Sequence, residues 1–240
     1  MVHLRLVPAI TSAFCVLLLL VACATPGAVP IPSPTSSTNA AETVTPTADP
    51  VTAVLVTLST ESLTITNDDD TIASTFTYFD SADTVATALT AAFGTTPTFT
   101  DVTNPYEGYP YRLFEWSGFI LTDESAYALA NPPYGRHLNV GTTTREVGGV
   151  KIQAADGTAV GDETGSVLAL YPDTNPFDGP TGDGTEYYSF ETDRVEIHNA
   201  DGSPVLDADG SAVSFFTRLV GVAGGGITGI GAPDGGPGRM

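Results

Sequence analysis

The stretch DSADTVATALTAAFG at residues 80–94 decides how the rest of this chain is read. Asp80 or Ser81 can cap a helix, and Asp83 sets a carboxylate in its first turn, near the positive end of the helix dipole. Val85, Leu89, Ala92 and Phe93 recur at helical spacing and make one apolar stripe. Gly94 is the expected left-handed stop, so the spacing predicts a helix from Ser81 to Phe93. That stripe needs a partner surface, and the flanking residues supply it.

Upstream of the helix, Val54, Val56 and Leu58 alternate with Leu55, Thr57 and Ser59. Leu63 and Ile65 alternate after a Ser59–Ser62 turn, and Ile72, Phe76 and Tyr78 share one parity after Asn67-Asp68-Asp69-Asp70. Period-two spacing broken by turn residues predicts an antiparallel meander. Downstream, after Pro97 and a polar loop, comes an aromatic segment from Tyr106 to Phe119.

The order then recurs. Val150 and Ile152 alternate, Asp156-Gly157 turns, and a short helical pattern opens at Asp162 with Val167, Leu170 and Tyr171 on one face, ended by Pro172. A Pro/Gly/Asp loop from Asp173 to Gly184 precedes Tyr187, Tyr188, Phe190, Val195 and Ile197 at strand spacing. Asp80, Val85 and Leu89 fall on Asp162, Val167 and Tyr171 at one constant offset. The expected fold class is therefore α+β: antiparallel sheets with short helices packed on one face, in two divergent tandem units, 51–146 and 147–223. One such unit leaves part of its apolar sheet face uncovered, so pairing two of them is physically sensible. Val213, Phe215 and Thr217 alternate into Leu219-Val220-Gly221-Val222, whereas residues 224–240, rich in Gly and Pro, read as an unstructured tail.

The N-terminus carries the clearest localising signal. His3 and Arg5 precede an apolar run that ends at Leu20-Val21-Ala22-Cys23. A run of this length falls short of the roughly 20 apolar residues that span a bilayer, and it fits the core of an export signal. The segment Leu20–Cys23 resembles the lipobox of bacterial lipoproteins. That resemblance implies removal of residues 1–22, diacylation of Cys23 on sulfur, and membrane attachment through the N-terminal lipid, on the outer face of the cytoplasmic membrane. Two acyl chains anchor stably, each buried CH₂ contributing about 0.8 kcal/mol. Cys15 would leave with the leader, and the mature chain would hold no thiol free for disulfide, metal or nucleophile chemistry. Residues 24–50 contain six prolines and no aromatic, so 23–50 reads as a Pro/Thr/Ser-rich linker, extended toward polyproline geometry. Scarce Lys with abundant Ala, Gly, Thr and Asp suits a high-GC bacterium such as an actinobacterium.

Charge narrows the partners. With 28 acidic against 8 basic residues the formal net charge is −20, and Lys151 is the sole lysine. No nucleic-acid or anionic-membrane surface can be built from so few cations. Neither His137 nor His198 lies in a nucleophile elbow, an S-x-x-K or an H-E-x-x-H context, and no cofactor or metal motif is present. Asn67 to Asp70, Asn199 to Gly202 and Asp207 to Gly210 offer oxygen ligands but do not continue into a twelve-residue calcium loop; turn chemistry explains them better.

The remaining candidates cluster in the aromatic segment. Tyr106, Tyr109, Tyr111 and Trp116 form the expected ligand surface, for a wall glycan or an envelope protein. Glu107, Glu115, Asp123 and Glu124 are the acids that an alternative, a wall-polymer hydrolase, would draw its carboxylate pair from. A helix with a Val on its inner face, a Gly or Pro stop and then an aromatic strand (Val85, Gly94, Tyr111 to Trp116; Val167, Pro172, Tyr187 to Phe190) resembles the outer-membrane assembly lipoprotein and β-lactamase-inhibitor-like modules. That resemblance implies a short helix on an antiparallel sheet, and adds an enzyme-inhibitor role as a further alternative. The leading expectation is a non-catalytic binding or scaffold lipoprotein.

Overall fold

Two β-sheets share one apolar interior, and the strand and helix patterns explain why. The computed structural model describes residues 51–104, 108–130, 136–178, 184–199, 201–206 and 210–235. The first meander forms β1 (Ala53–Leu58), β2 (Ser62–Asn67) and β3 (Ile72–Thr77), followed by α1 (Ala82–Phe93). Next come β4 (Thr98–Thr103), β5 (Pro110–Trp116), β6 (Phe119–Asp123), α2 (Ser125–Ala130) and β7 (Leu138–Thr142). The chain continues through β8 (Glu146–Val147), β9 (Val150–Ala154) and α3 (Thr164–Leu170). It closes with β10 (Pro176–Asp178), β11 (Glu186–Glu196), β12 (Ser214–Val222) and β13 (Ile227–Gly235). The fold class is α+β, mostly sheet, with three short helices among the described residues.

The smaller sheet has the order β3-β2-β1-β9-β8, and the larger β10-β11-β12-β13-β7-β6-β5-β4. The larger sheet consists of two four-stranded antiparallel meanders, β4 to β7 and β10 to β13, joined where β7 pairs antiparallel with β13. Each meander follows a helix, α1 or α3, whose first-turn residues Ala82 and Val85, or Thr164 and Val167, are buried. The smaller sheet departs from the antiparallel expectation at one point: β1 and β9 run parallel, Val56 opposite Ile152. A break at 146/147 would cut β8, and both sheets carry strands from both sides of it.

Residues of one parity from each sheet meet inside. Val56, Leu58, Leu63, Ile65 and Ile152 come from the smaller sheet; Phe114, Phe119, Leu121, Val140, Leu219 and Ile230 come from the larger. α1 packs on β1 and β6, and buries Ala82, Val85, Ala86, Leu89 and Phe93 against both sheets. Each fully buried Leu or Phe contributes about 1.5–3 kcal/mol relative to exposure, which makes this stripe a principal source of stability. Gly94 ends α1 at φ 66°, and its N–H donates to the Thr90 carbonyl, as a left-handed cap requires. A polar clamp joins the sheets at the β1–β2 turn: the Thr60 N–H donates to the Asp193 carboxylate at 2.9 Å and its hydroxyl to the Asp193 carbonyl. Asp193 sits in the β11 bulge between Thr192 and Val195, which points it at that turn.

The Gly-rich tail expected at 224–240 is a correction. Residues 227–235 form β13, a strand at the centre of the larger sheet, with Ile227, Ile230 and Ala232 buried. Composition misleads here because the pairing with β12 slips between Val220 and Gly221. The slip puts Ile227 and Ile230, three apart, on the same face, so the alternation along the strand is interrupted and only Ile230 and Ala232 keep it. Ladder hydrogen bonds on both sides offset the entropy that glycines cost a strand.

Candidate functional site

Strand β5 is the origin of the candidate site, because its two parities have different fates. Arg112, Phe114 and Trp116 point inward, whereas Tyr111, Leu113 and Glu115 point outward. Trp116 is 2% exposed, stands edge-on to Phe93 and Phe119 at 5.7 and 6.1 Å, and donates from Nε1 to the Thr95 carbonyl at 3.0 Å. It is a core residue, which corrects its expected place on a ligand surface. Its parity decides this: it shares a face with Phe114, under α1.

The outward face behaves differently. Beside β5, β6, β7 and α2 lies an open pocket of about 440 Å³, lined among others by Tyr109, Tyr111, Tyr127, Thr122, Glu124 and Asn139. Register explains the convergence: Leu113 pairs with Thr122 and Thr122 with Asn139, so these three lie in one row across the sheet. Glu124 follows β6 directly, its N–H donating to the His137 carbonyl at 2.7 Å, and its own carbonyl accepts from Ala128 in the first turn of α2. That turn carries Tyr127 over the sheet, where its ring meets Tyr109 at 5.6 Å and 79°. Tyr109 is fixed from the other side, its carbonyl accepting from the Asn104 N–H at 2.9 Å. Asn139 donates from Nδ2 to the Pro233 carbonyl at 2.7 Å. The outcome is an aromatic corner with polar groups along its floor.

The three candidate acids among the described residues, Glu115, Asp123 and Glu124, do not assemble into a pair. Glu107, with Tyr106, lies outside the described residues. Asp123 is 8% exposed and faces inward, where Arg112 donates to its Oδ2 from Nε at 2.8 Å. The Ser125 N–H, at 3.0 Å, and the Ser125 hydroxyl donate to its Oδ1. Burial pushes the Asp123 carboxyl up, but the Ser125 and Arg112 hydrogen bonds outweigh it and hold the group below the usual carboxylate range. A carboxylate so held starts α2 and ties β5 to β6. Glu115 is exposed, opposite Thr98 and Ile120, and is not part of the pocket lining. Glu124 is the single carboxylate of the pocket among the described residues.

Tyr127, Thr122 and Asn139 were invisible as site residues in the sequence. The one signal was Asp123 two residues before Ser125-Ala126-Tyr127-Ala128, an acidic start to an Ala-rich turn. Elsewhere, Arg136 packs over the Phe215 ring at 4.4 Å and near Tyr78 and Phe79, and burial lowers its pKa. His198 is exposed, 3.8 Å from Glu196. Asp69 and Asp201 accept from the backbone N–H and hydroxyl of Thr71 and Ser203, which is turn chemistry. Asp207 and Asp209 lie outside the described residues, as does Cys23. No helix of the described residues is long and apolar enough to cross a membrane. Comparison of the chain with protein-family models, with curated proteins and with solved structures finds no match.

Proposed function

We propose that this chain is a non-catalytic binding lipoprotein of the bacterial cell envelope. In this reading diacylated Cys23 holds it to the outer face of the cytoplasmic membrane, and residues 24–50 lift its folded body into the wall. The pocket beside β5 takes a carbohydrate. The observation that carries the ligand half of the proposal is the grouping of Tyr109, Tyr111 and Tyr127 with Thr122, Glu124 and Asn139 in one open pocket. Tyrosine faces suit the C–H faces of a sugar ring, while hydroxyl, amide and carboxylate groups at the edge fix its hydroxyls. The lipobox-like Leu20–Cys23 segment supports the location.

Two measurements test it. Purified full chain, titrated with oligosaccharides of wall type, should bind them without turnover, and Tyr109→Ala should weaken binding about tenfold, or about 1.4 kcal/mol, with an unchanged circular dichroism spectrum. Unaltered binding by that variant would remove the pocket from the proposal. Metabolic labelling with a palmitate analogue should mark the wild-type protein and not Cys23→Ala; a labelled variant would overturn the anchor.

A further inference from the structure

Strands in a row leave two margins on each sheet: β10 and β4 on the larger, β3 and β8 on the smaller. A free margin presents backbone donors and acceptors to any other extended chain, and proteins blunt it by shortness, proline, bulges or charge. Three of these four margins are blunted. β8 has two residues, β10 has three and begins with Pro176, and the ladder that holds β3 slips between Ile65 and Thr66. β4 differs from them. It pairs with β5 over six residues without a slip, from Thr98 opposite Glu115 to Thr103 opposite Pro110, and contains neither proline nor lysine. Five of its six residues are exposed, and among the described residues no strand pairs with its far side. That side is an open ladder about 20 Å long.

The side chains of β4 select what can lie along it. Phe99 and Asp101 stand opposite Phe114 and Arg112, and so share the side of the sheet that α1 covers. Phe99 is 50% exposed although its ring meets Phe114 edge-on at 5.4 Å. Arg112 is engaged by Asp83 and Asp123, so Asp101 has no cation of its own among the described residues. A strand added to β4 would set side chains opposite Asp101 and Phe99 at Cβ separations of about 4.5–5.5 Å. A Lys or Arg beside Asp101 supplies the missing cation, and an aliphatic residue two positions away covers the open half of Phe99. Thr98, Thr100 and Val102 on the other side are all β-branched and favour an extended neighbour. A second copy of the chain fits poorly: antiparallel registers centred on Thr100 or Asp101 set two Asp101 carboxylates diagonal or opposite on one face, between chains of formal charge −20. We propose that β4 is the docking edge for an extended segment of a partner protein, which adds a ninth strand to the larger sheet and carries a Lys or Arg against Asp101 and an aliphatic side chain against Phe99. This surface is independent of the tyrosine pocket.

Fluorescence anisotropy of a labelled acetyl-Thr-Val-Thr-Lys-Thr-Val-Thr amide, titrated with the full chain, tests the edge. The peptide reads the same in both directions, so Lys can lie beside Asp101 and a Val beside Phe99 whichever way it runs. It should bind saturably, and amide exchange followed by NMR should show added protection at alternate residues of β4. Asp101→Lys should weaken binding about fivefold and strengthen, to a similar degree, binding of the counterpart with Glu in place of Lys. Thermal melts check that the variant keeps its fold. A counterpart with Pro for each Val keeps the charge, loses the extended pairing and should not bind. Equal binding of the Pro and Val peptides, protection only outside β4, or no response to Asp101→Lys would overturn the proposal, as would no binding at all. Dimerisation of the full chain that the peptide reverses would overturn the choice of a foreign strand over a second copy.

Discussion

Replacing Trp116 by Ala removes a side chain that is 2% exposed, two edge-on ring contacts and one hydrogen bond to the Thr95 carbonyl. Truncation of a buried Trp costs about 3–5 kcal/mol from lost transfer energy and the cavity left behind. The ring pairs and the orphaned Thr95 carbonyl place this residue toward the upper end, at about 4–5 kcal/mol. For a folded body of this size, about 2–4 °C is lost per kcal/mol, so the melting temperature should fall by roughly 10–15 °C. Trp116→Phe keeps most of the volume and loses the N–H, and should cost about 1–2 kcal/mol. Because Trp116 is the sole tryptophan, its emission reports wild-type unfolding, while urea melts of the variants must be followed by far-ultraviolet circular dichroism. A Trp116→Ala protein that loses under about 1 kcal/mol but fails to bind ligand would refute the reasoning. It would return Trp116 to the binding surface.

Two further substitutions probe the frame around the pocket. Asp123→Asn should cost about 1–3 kcal/mol at neutral pH by breaking the charged bonds from Arg112 and weakening those from Ser125. The native Asp123 carboxyl titrates below its ordinary range, so its contribution is complete above the unfolded value near about 3.9 and fades as pH falls through the native one. Urea midpoints of wild type and variant should therefore converge in acid; a constant gap down to the acid transition would contradict this. The β8–β9 turn, Gly148-Gly149, has positive φ at both residues, 59° and 86°. A Cβ on Gly148 would stand 2.0 Å from the Phe93 carbonyl oxygen, while one on Gly149 meets nothing within 4 Å. Gly149→Ala should thus cost about 1 kcal/mol of backbone strain and Gly148→Ala several times more, as equilibrium unfolding would measure; equal losses would show that the close approach to Phe93 is absent.

The legible parts of this fold were those whose side chains repeat at a local period. α1 begins at Ala82 and stops at Gly94 because its stripe and cap are both local, and β1 to β3 follow from alternation alone. The parallel β1–β9 pairing joins segments far apart in the chain, with nothing in either strand to mark its partner. β13 was hidden because a bulged register breaks its alternation and glycine composition mimics a loop. Half of the pocket was equally legible: Tyr109 and Tyr111 share a parity with Leu113, away from Trp116. The other half, Tyr127 and Asn139, reaches the same place by way of a six-residue helix and a third strand, and only tertiary register brings them together.

The position of β13 also decides what holds the larger sheet together. It lies far from β7 in the chain, yet it fills the slot between β12 and β7. Without it, each half of the larger sheet presents a bare edge with unsatisfied backbone groups, and neither can close on the other. These residues thus act as a keystone: a variant that unpairs β13 is left with two sticky margins where the intact sheet has a continuous ladder.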